Sequence, residues 1–121
     1  MDLKVITGDF SICKVNELNA DLLKEEFTFI GRTNEELSLV CRTEMVPEKH
    51  NEIESGWKCF RIAEDASFEK YGMIAFLADI IAANKTSTLV IGTYDTDYLF
   101  IKQEKFATIQ TALMKAGCRF I

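Results

Sequence analysis

The stretch 88–102, Thr-Leu-Val-Ile-Gly-Thr-Tyr-Asp-Thr-Asp-Tyr-Leu-Phe-Ile-Lys, constrains the fold more than any other. Two apolar runs, Leu89-Val90-Ile91 and Tyr98-Leu99-Phe100-Ile101, flank a polar centre of turn-forming residues. β-branched and aromatic side chains suit a pleated, half-buried surface, and Gly, Asp and Thr interrupt it. The pattern predicts two antiparallel strands joined through Tyr94-Asp95-Thr96-Asp97. Any polar chemistry then sits at the open end of a hydrophobic hairpin.

The sequence on either side extends that plan. Gly56-Trp57-Lys58-Cys59-Phe60-Arg61-Ile62 alternates as a strand, and a helix is expected over 68–83 with Ser67 as a candidate cap. Tyr71, Ile74, Ala75, Ala78, Ile81 and Ala82 fall on one side of it, and Met73, Phe76, Leu77 and Ile80 around the rest. Apolar residues nearly all round predict burial on two sides. After the hairpin, 104–116 repeats helical periodicity through Phe106, Ile109, Ala112, Leu113 and Ala116 until Gly117 stops it. Cys118-Arg119-Phe120-Ile121 can add a last strand. The second half therefore reads β-α-β-β-α-β, the split βαβ order of ferredoxin-like folds.

The first half is largely β. Leu3-Lys4-Val5-Ile6 and Phe10-Ser11-Ile12-Cys13-Lys14-Val15 are strand candidates divided by Thr7-Gly8-Asp9. Phe27-Thr28-Phe29-Ile30 and Leu37-Ser38-Leu39-Val40-Cys41 follow, with a turn over 31–35 between them. The segment 16–24 permits a short helix that two asparagines weaken. The polar stretch 43–55, with Pro47 and His50, is the best internal boundary. The expected class is α+β, with a degenerate, mostly β repeat over 1–52 and a ferredoxin-like domain over 53–121.

Composition narrows the function. A chain of 121 residues, 48% hydrophobic and 27% charged, can bury a core without staples. Its net charge of -5 and lack of a Lys/Arg stripe argue against a nucleic-acid groove. No leader pattern and no apolar run long enough to span a bilayer point to the cytoplasm. Cys13, Cys41, Cys59 and Cys118 are too scattered in sequence for a redox pair or zinc knuckle and read as inert thiols. Asp95-Thr96-Asp97 can hold a divalent cation only with more carboxylates than its neighbourhood offers. His50 has no orienting partner in sequence, which argues against a nucleophilic triad. No cofactor and no catalytic residue are expected.

The strings Glu36-Leu37-Ser38-Leu39-Val40-Cys41 and Thr93-Tyr94-Asp95-Thr96-Asp97-Tyr98, with Gly56-Trp57 and Phe68 ahead of Gly72, resemble the small tandem ACT-domain proteins over about residues 3–117. This ACT type also resembles the repeats of an animal cytosolic arginine sensor. The resemblance implies an ACT fold and non-catalytic binding of a small molecule, an amino acid above all, at a repeat or subunit interface. The implied ligand-binding residues are Ser38, Leu39, Tyr71, Gly72, Met73, Ile74, Thr93, Tyr94, Asp95 and Asp97, with Ser67 and Phe68 in the same loop and first helical turns. It also implies a homodimer. The alternative is a ligand-free dimerisation module acting through protein partners. Two positions depart from the family: its FSLTG loop is here Phe68-Glu69-Lys70-Tyr71-Gly72, and the leading serine of its STYDTDY string is Gly92.

Independently of any family, a helix N-terminus suits an α-carboxylate. Asp95 or Asp97 can take an ammonium or cationic side chain, although aspartates also serve turns through their own backbone hydrogen bonds.

Overall fold

The computed structural model describes residues 1–63 and 71–121. Its strands are β1 (Asp2–Lys14), β2 (Phe29–Arg32), β3 (Leu37–Arg42), β4 (Glu52–Ile62), β5 (Leu89–Gly92), β6 (Asp97–Lys102) and β7 (Arg119–Phe120). Helix α1 (Met73–Ala83) lies between β4 and β5, and α2 (Gln103–Lys115) between β6 and β7. Two 3₁₀ turns occupy Ala20–Lys24 and Thr43–Met45. Contacts group the chain into two compact units, Gly8–Trp57 and a second joining Met1–Thr7 to Lys58–Ile121. The boundary between these compact units passes through β1 and β4.

The N-terminal unit orders its strands β2-β3-β1-β4, the split βαβ order with both helical crossovers reduced to 3₁₀ turns. β3 runs antiparallel to β1, from Phe10 opposite Arg42 to Lys14 opposite Ser38, and β2 runs antiparallel to β3. Cys13, Val15, Leu22, Leu37, Leu39 and Cys41 form its core, with Leu18, Met45 and Val46 packed around them. Asn19 explains the weak helix: its side chain accepts the Asp21 N–H at 3.0 Å, and the Glu25 N–H closes on Leu22 one turn later. Such local side-chain bonds compete with a continuing α-helix.

The C-terminal unit orders its strands β5-β6-β4-β1-β7. In a simple ferredoxin-like repeat the last strand would lie beside the first, but here the opening residues of β1 lie between β4 and β7. Asp2 and Leu3 pair in parallel with Arg119 and Phe120. The Arg119 guanidinium grips Asp2 through two hydrogen bonds of 3.0 and 2.8 Å. Leu3, Phe60, Ile62, Leu77, Ile81, Leu99, Ile101, Ile109, Leu113 and Cys118 make the core.

Several sequence expectations need correction. β1 does not break at Thr7-Gly8-Asp9, because Gly8 takes φ +116° and lets the strand continue. β4 begins at Glu52, inside the polar stretch read as a boundary. Only Leu77 and Ile81 of α1 are fully buried, while Ala75, Phe76, Asp79, Ala82 and Ala83 are exposed. Among the described residues the helix is therefore covered on one side, not two. Tyr71 and Gly72 precede α1 rather than forming its first turn. The expected cap at Ser67 and the helix start at Phe68 lie outside the described residues.

Candidate functional site

The β5–β6 turn is closed by threonine. Gly92 and Asp97 form the last strand pair. The Thr93 N–H and hydroxyl both donate to the Thr96 carbonyl, at 2.8 and 3.0 Å, and the Thr96 N–H returns a 3.4 Å bond to Thr93 Oγ1. This ST turn satisfies the backbone that aspartates usually serve. Asp95 and Asp97 make no side-chain hydrogen bond or ion pair among the described residues. Tyr94 and Asp95 stand exposed at the tip, and Asp97 is half-buried beside Gly92. A Cβ at Gly92 would meet Asp97 Oδ1 at 3.0 Å, so the serine usual at this position would have to push that carboxylate aside.

Thr96 is the residue that sequence reasoning missed. It is buried, and its hydroxyl donates to the Ile62 carbonyl at 2.7 Å. The bond sets the start of β6 against the end of β4. β6 therefore runs antiparallel to β4, and β5, antiparallel to β6, runs parallel to β4. The C-terminal ends of β4 and β5 share one end of this unit. The only signal in sequence was a β-branched hydroxyl residue between two aspartates.

From that end the chain proceeds to α1. Gly72 stands at the N-cap with φ +81° and ψ 3°, a left-handed conformation that glycine adopts without strain. Its carbonyl accepts the Phe76 N–H at 2.9 Å. Among the described residues no side chain caps the helix, and no acidic residue occupies its first turn. Met73 and Ile74 pack half-buried against the core, so their backbone donors sit on a fixed support. Tyr71 is 91% exposed. Gly72 is the residue that turns the chain into the helix.

Ser38 and Leu39 belong to the N-terminal unit. Leu39 is fully buried in that unit's core. Ser38 donates to Glu36 Oε1 at 2.8 Å and borders an open cleft of about 390 Å³ with Lys14 and Glu52. Lys14 stands 4.0 Å from Glu36 and 3.9 Å from Glu52, long contacts between half-exposed or exposed groups that contribute little to stability. The N-terminal hairpin repeats the turn of the C-terminal one. Thr33 bonds the Glu36 carbonyl through its N–H at 2.9 Å and receives the Glu35 and Glu36 N–H groups at its hydroxyl, both at 3.1 Å.

Among the described residues no three His, Cys, Asp or Glu side chains converge as metal ligands. Cys13, Cys41, Cys59 and Cys118 are free and buried. Burial, reinforced by Cys13 and Glu44, pushes the Cys41 thiol up to about 12, which opposes a nucleophilic role. His50 lies exposed, its Nδ1 2.8 Å from the Pro47 carbonyl. No helix in the described residues is long and apolar enough to cross a membrane.

An ACT-domain family model matches residues 52–115, and a separate N-terminal-domain model matches residues 8–49. No curated protein matches the chain. Among solved structures, an Agrobacterium tumefaciens protein superimposes with TM-score 0.89 at 24% identity, over 99% of this chain and 91% of that one. A Vibrio cholerae protein, described as of unknown function and a possible transport protein, gives TM-score 0.73 at 25% identity, over 94% and 88%. The ligand-free regulatory subunit of Thermus thermophilus aspartate kinase gives 0.66 over 95% and 96% of the two chains. At 8% identity, that last likeness is one of fold alone. The ACT model spans more than half of the sequence, and the chain belongs to the ACT-domain family.

Proposed function

We propose that this protein is a non-catalytic, cytoplasmic regulator that binds a small molecule, an amino acid by preference, at the end of the C-terminal unit where β4 and β5 finish. One observation carries the reading: Thr93 closes the turn by itself and leaves the Asp95 and Asp97 carboxylates uncommitted. The start of α1 supplies the complementary chemistry. First-turn N–H groups of Met73 and Ile74 take an α-carboxylate. Asp95 or Asp97 takes the α-ammonium or a cationic side chain through charge-assisted bonds. Tyr71, Tyr94 and Thr93 border the ligand, and Gly72 leaves the backbone open to it. We place the Ser38 hydroxyl at the cleft of the N-terminal unit that it shares with Lys14 and Glu52, with Leu39 anchoring its strand, and not at this site. The aspartate kinase regulatory subunit supports the regulatory part of the reading by its fold.

Calorimetric titration with the twenty amino acids tests the site. A ligand found this way should lose about tenfold or more in affinity in Asp95→Asn or Asp97→Asn, the weight of one charged hydrogen bond. Unchanged affinity in both variants overturns the site assignment.

The exposed side of α1 favours a second reading, a homodimerisation module that needs no ligand. Phe76 is 39% exposed on that side, among alanines. Sedimentation of the wild type and Phe76→Glu decides it. A wild-type dimer that the variant dissolves supports the module, and a wild-type monomer at micromolar concentration removes it.

A further inference from the structure

Each unit's sheet ends on the first strand of its hairpin, β2 in one and β5 in the other. Exposed edge strands are ordinarily guarded by charge, proline or a bulge, because their unpaired backbone groups are templates for another strand. β2 carries Arg32, whereas β5, Leu89-Val90-Ile91-Gly92, carries no charge and no proline and pairs with β6 in unbroken register. That register shows what β5 offers. The Thr93 N–H donates to the Thr96 carbonyl, so hydrogen-bonded pairs recur at Ile91–Tyr98 and Leu89–Phe100. Val90 and Gly92, opposite Leu99 and Asp97, therefore turn their N–H and C=O groups away from β6, to the open edge.

Side chains along the same edge set what can lie there. Val90 and Gly92 share a face with Leu99 and Asp97. Val90 is 42% exposed. Gly92 has no side chain, and Asp97 Oδ1 lies 3.0 Å from where its Cβ would stand. No side chain of β5 therefore stands between that carboxylate and a strand added at the edge. An antiparallel strand whose first position faces Gly92 places its third beside Val90, the next residue with outward groups. A long cationic side chain at the first position reaches Asp97 across the glycine. A β-branched one at the third covers Val90.

We propose that β5 docks an extended segment of a partner protein, added antiparallel to the edge of the C-terminal unit, with the pattern Lys or Arg, any residue, Val or Ile. Backbone bonds to Val90 and Gly92 supply affinity, and Asp97 and Val90 read the first and third side chains. Asp97 is shared with the amino-acid site, but neither the start of α1 nor an α-ammonium takes part. Docking therefore needs no amino acid, and its failure leaves the amino-acid site standing.

The test is an amide-resolved NMR titration of the full chain with the peptide Ser-Thr-Lys-Thr-Val-Thr-Ser, acetylated and amidated so that it brings no α-ammonium or carboxylate. Saturable shifts should appear at residues 89–93 and 97. At saturation, hydrogen exchange at the Val90 and Gly92 amides should slow about tenfold or more, while Leu89 and Ile91, already bonded to β6, change little. Val90→Pro removes an outward donor that β6 does not use, so the fold should survive and the binding should be lost. Asp97→Asn should weaken the lysine peptide about tenfold and leave a peptide with glutamine in that place unaffected. The proposal is overturned by absent shifts at millimolar peptide, by shifts without the alternating slow exchange, or by Val90→Pro binding as wild type does. It is also overturned if the glutamine peptide binds wild type as tightly as the lysine one, or if a second copy of the chain already protects Val90 and Gly92 in a dimer.

Discussion

Thr96 shows how one hydroxyl positions a site it does not enter. Its bond to the Ile62 carbonyl is buried, so deleting the donor leaves an acceptor that no longer meets water. Thr96→Val keeps the shape and should cost about 1–3 kcal/mol. Urea denaturation with an unchanged slope checks it, and a loss under about 0.5 kcal/mol would mean the bond contributes little. Cys41 makes a second prediction at this scale. Its thiol is raised from 9.0 to about 12, so a disulfide reagent at neutral pH should label it only after unfolding. The linked stability is present below 9.0 and fades as pH rises towards 12. At the acid end, the hydrogen bond from Arg119 holds the Asp2 carboxyl below its ordinary 3.8. That stabilisation is present above 3.8 and lost as pH falls through the lower folded value, so wild type and Asp2→Asn should converge in acid.

Elements were legible where pattern and packing agree. The hairpin at 88–102 became β5 and β6, and the 104–116 periodicity became α2, because Ile109 and Leu113 bury the face that their spacing marks. β1 was illegible at Gly8, where a turn-forming triplet continues a strand. The reason is tertiary. Arg42 lies over the rings of Phe10 and Phe27, 5.6 and 5.1 Å from their centroids, and its Nε comes within 2.9 Å of any Cβ added at Gly8. Gly8→Ala combines that clash with a strained φ and should cost about 1–3 kcal/mol, read from the shift in thermal midpoint. A stability equal to wild type would show that β1 tolerates a break there. The polar start of β4, Glu52-Ile53-Glu54-Ser55, was missed because exposed strand residues carry little hydrophobic signal. Phe27 sits at φ +57°, which no propensity scale anticipates. The candidate site was legible only as chemistry: Asp95 and Asp97 stood out by type, whereas Thr96 and the left-handed turn at Gly72 depend on contacts and backbone angles.

Across the whole molecule the two units share one hairpin design and differ in what crosses between strands. The C-terminal unit keeps both helices, and the N-terminal unit replaces them with 3₁₀ turns. The ACT fold and the ACT family are established; the ligand is the open claim, and a thermal-shift panel of the twenty amino acids on the full chain tests it most directly. An amino acid at 100 times its dissociation constant should stabilise the protein by about 2.7 kcal/mol, raising the midpoint by several degrees. A stereoselective shift that Asp95→Asn or Asp97→Asn removes is the result expected. A flat panel at saturating concentrations would contradict the account and leave the exposed side of α1 as the surface that explains the protein.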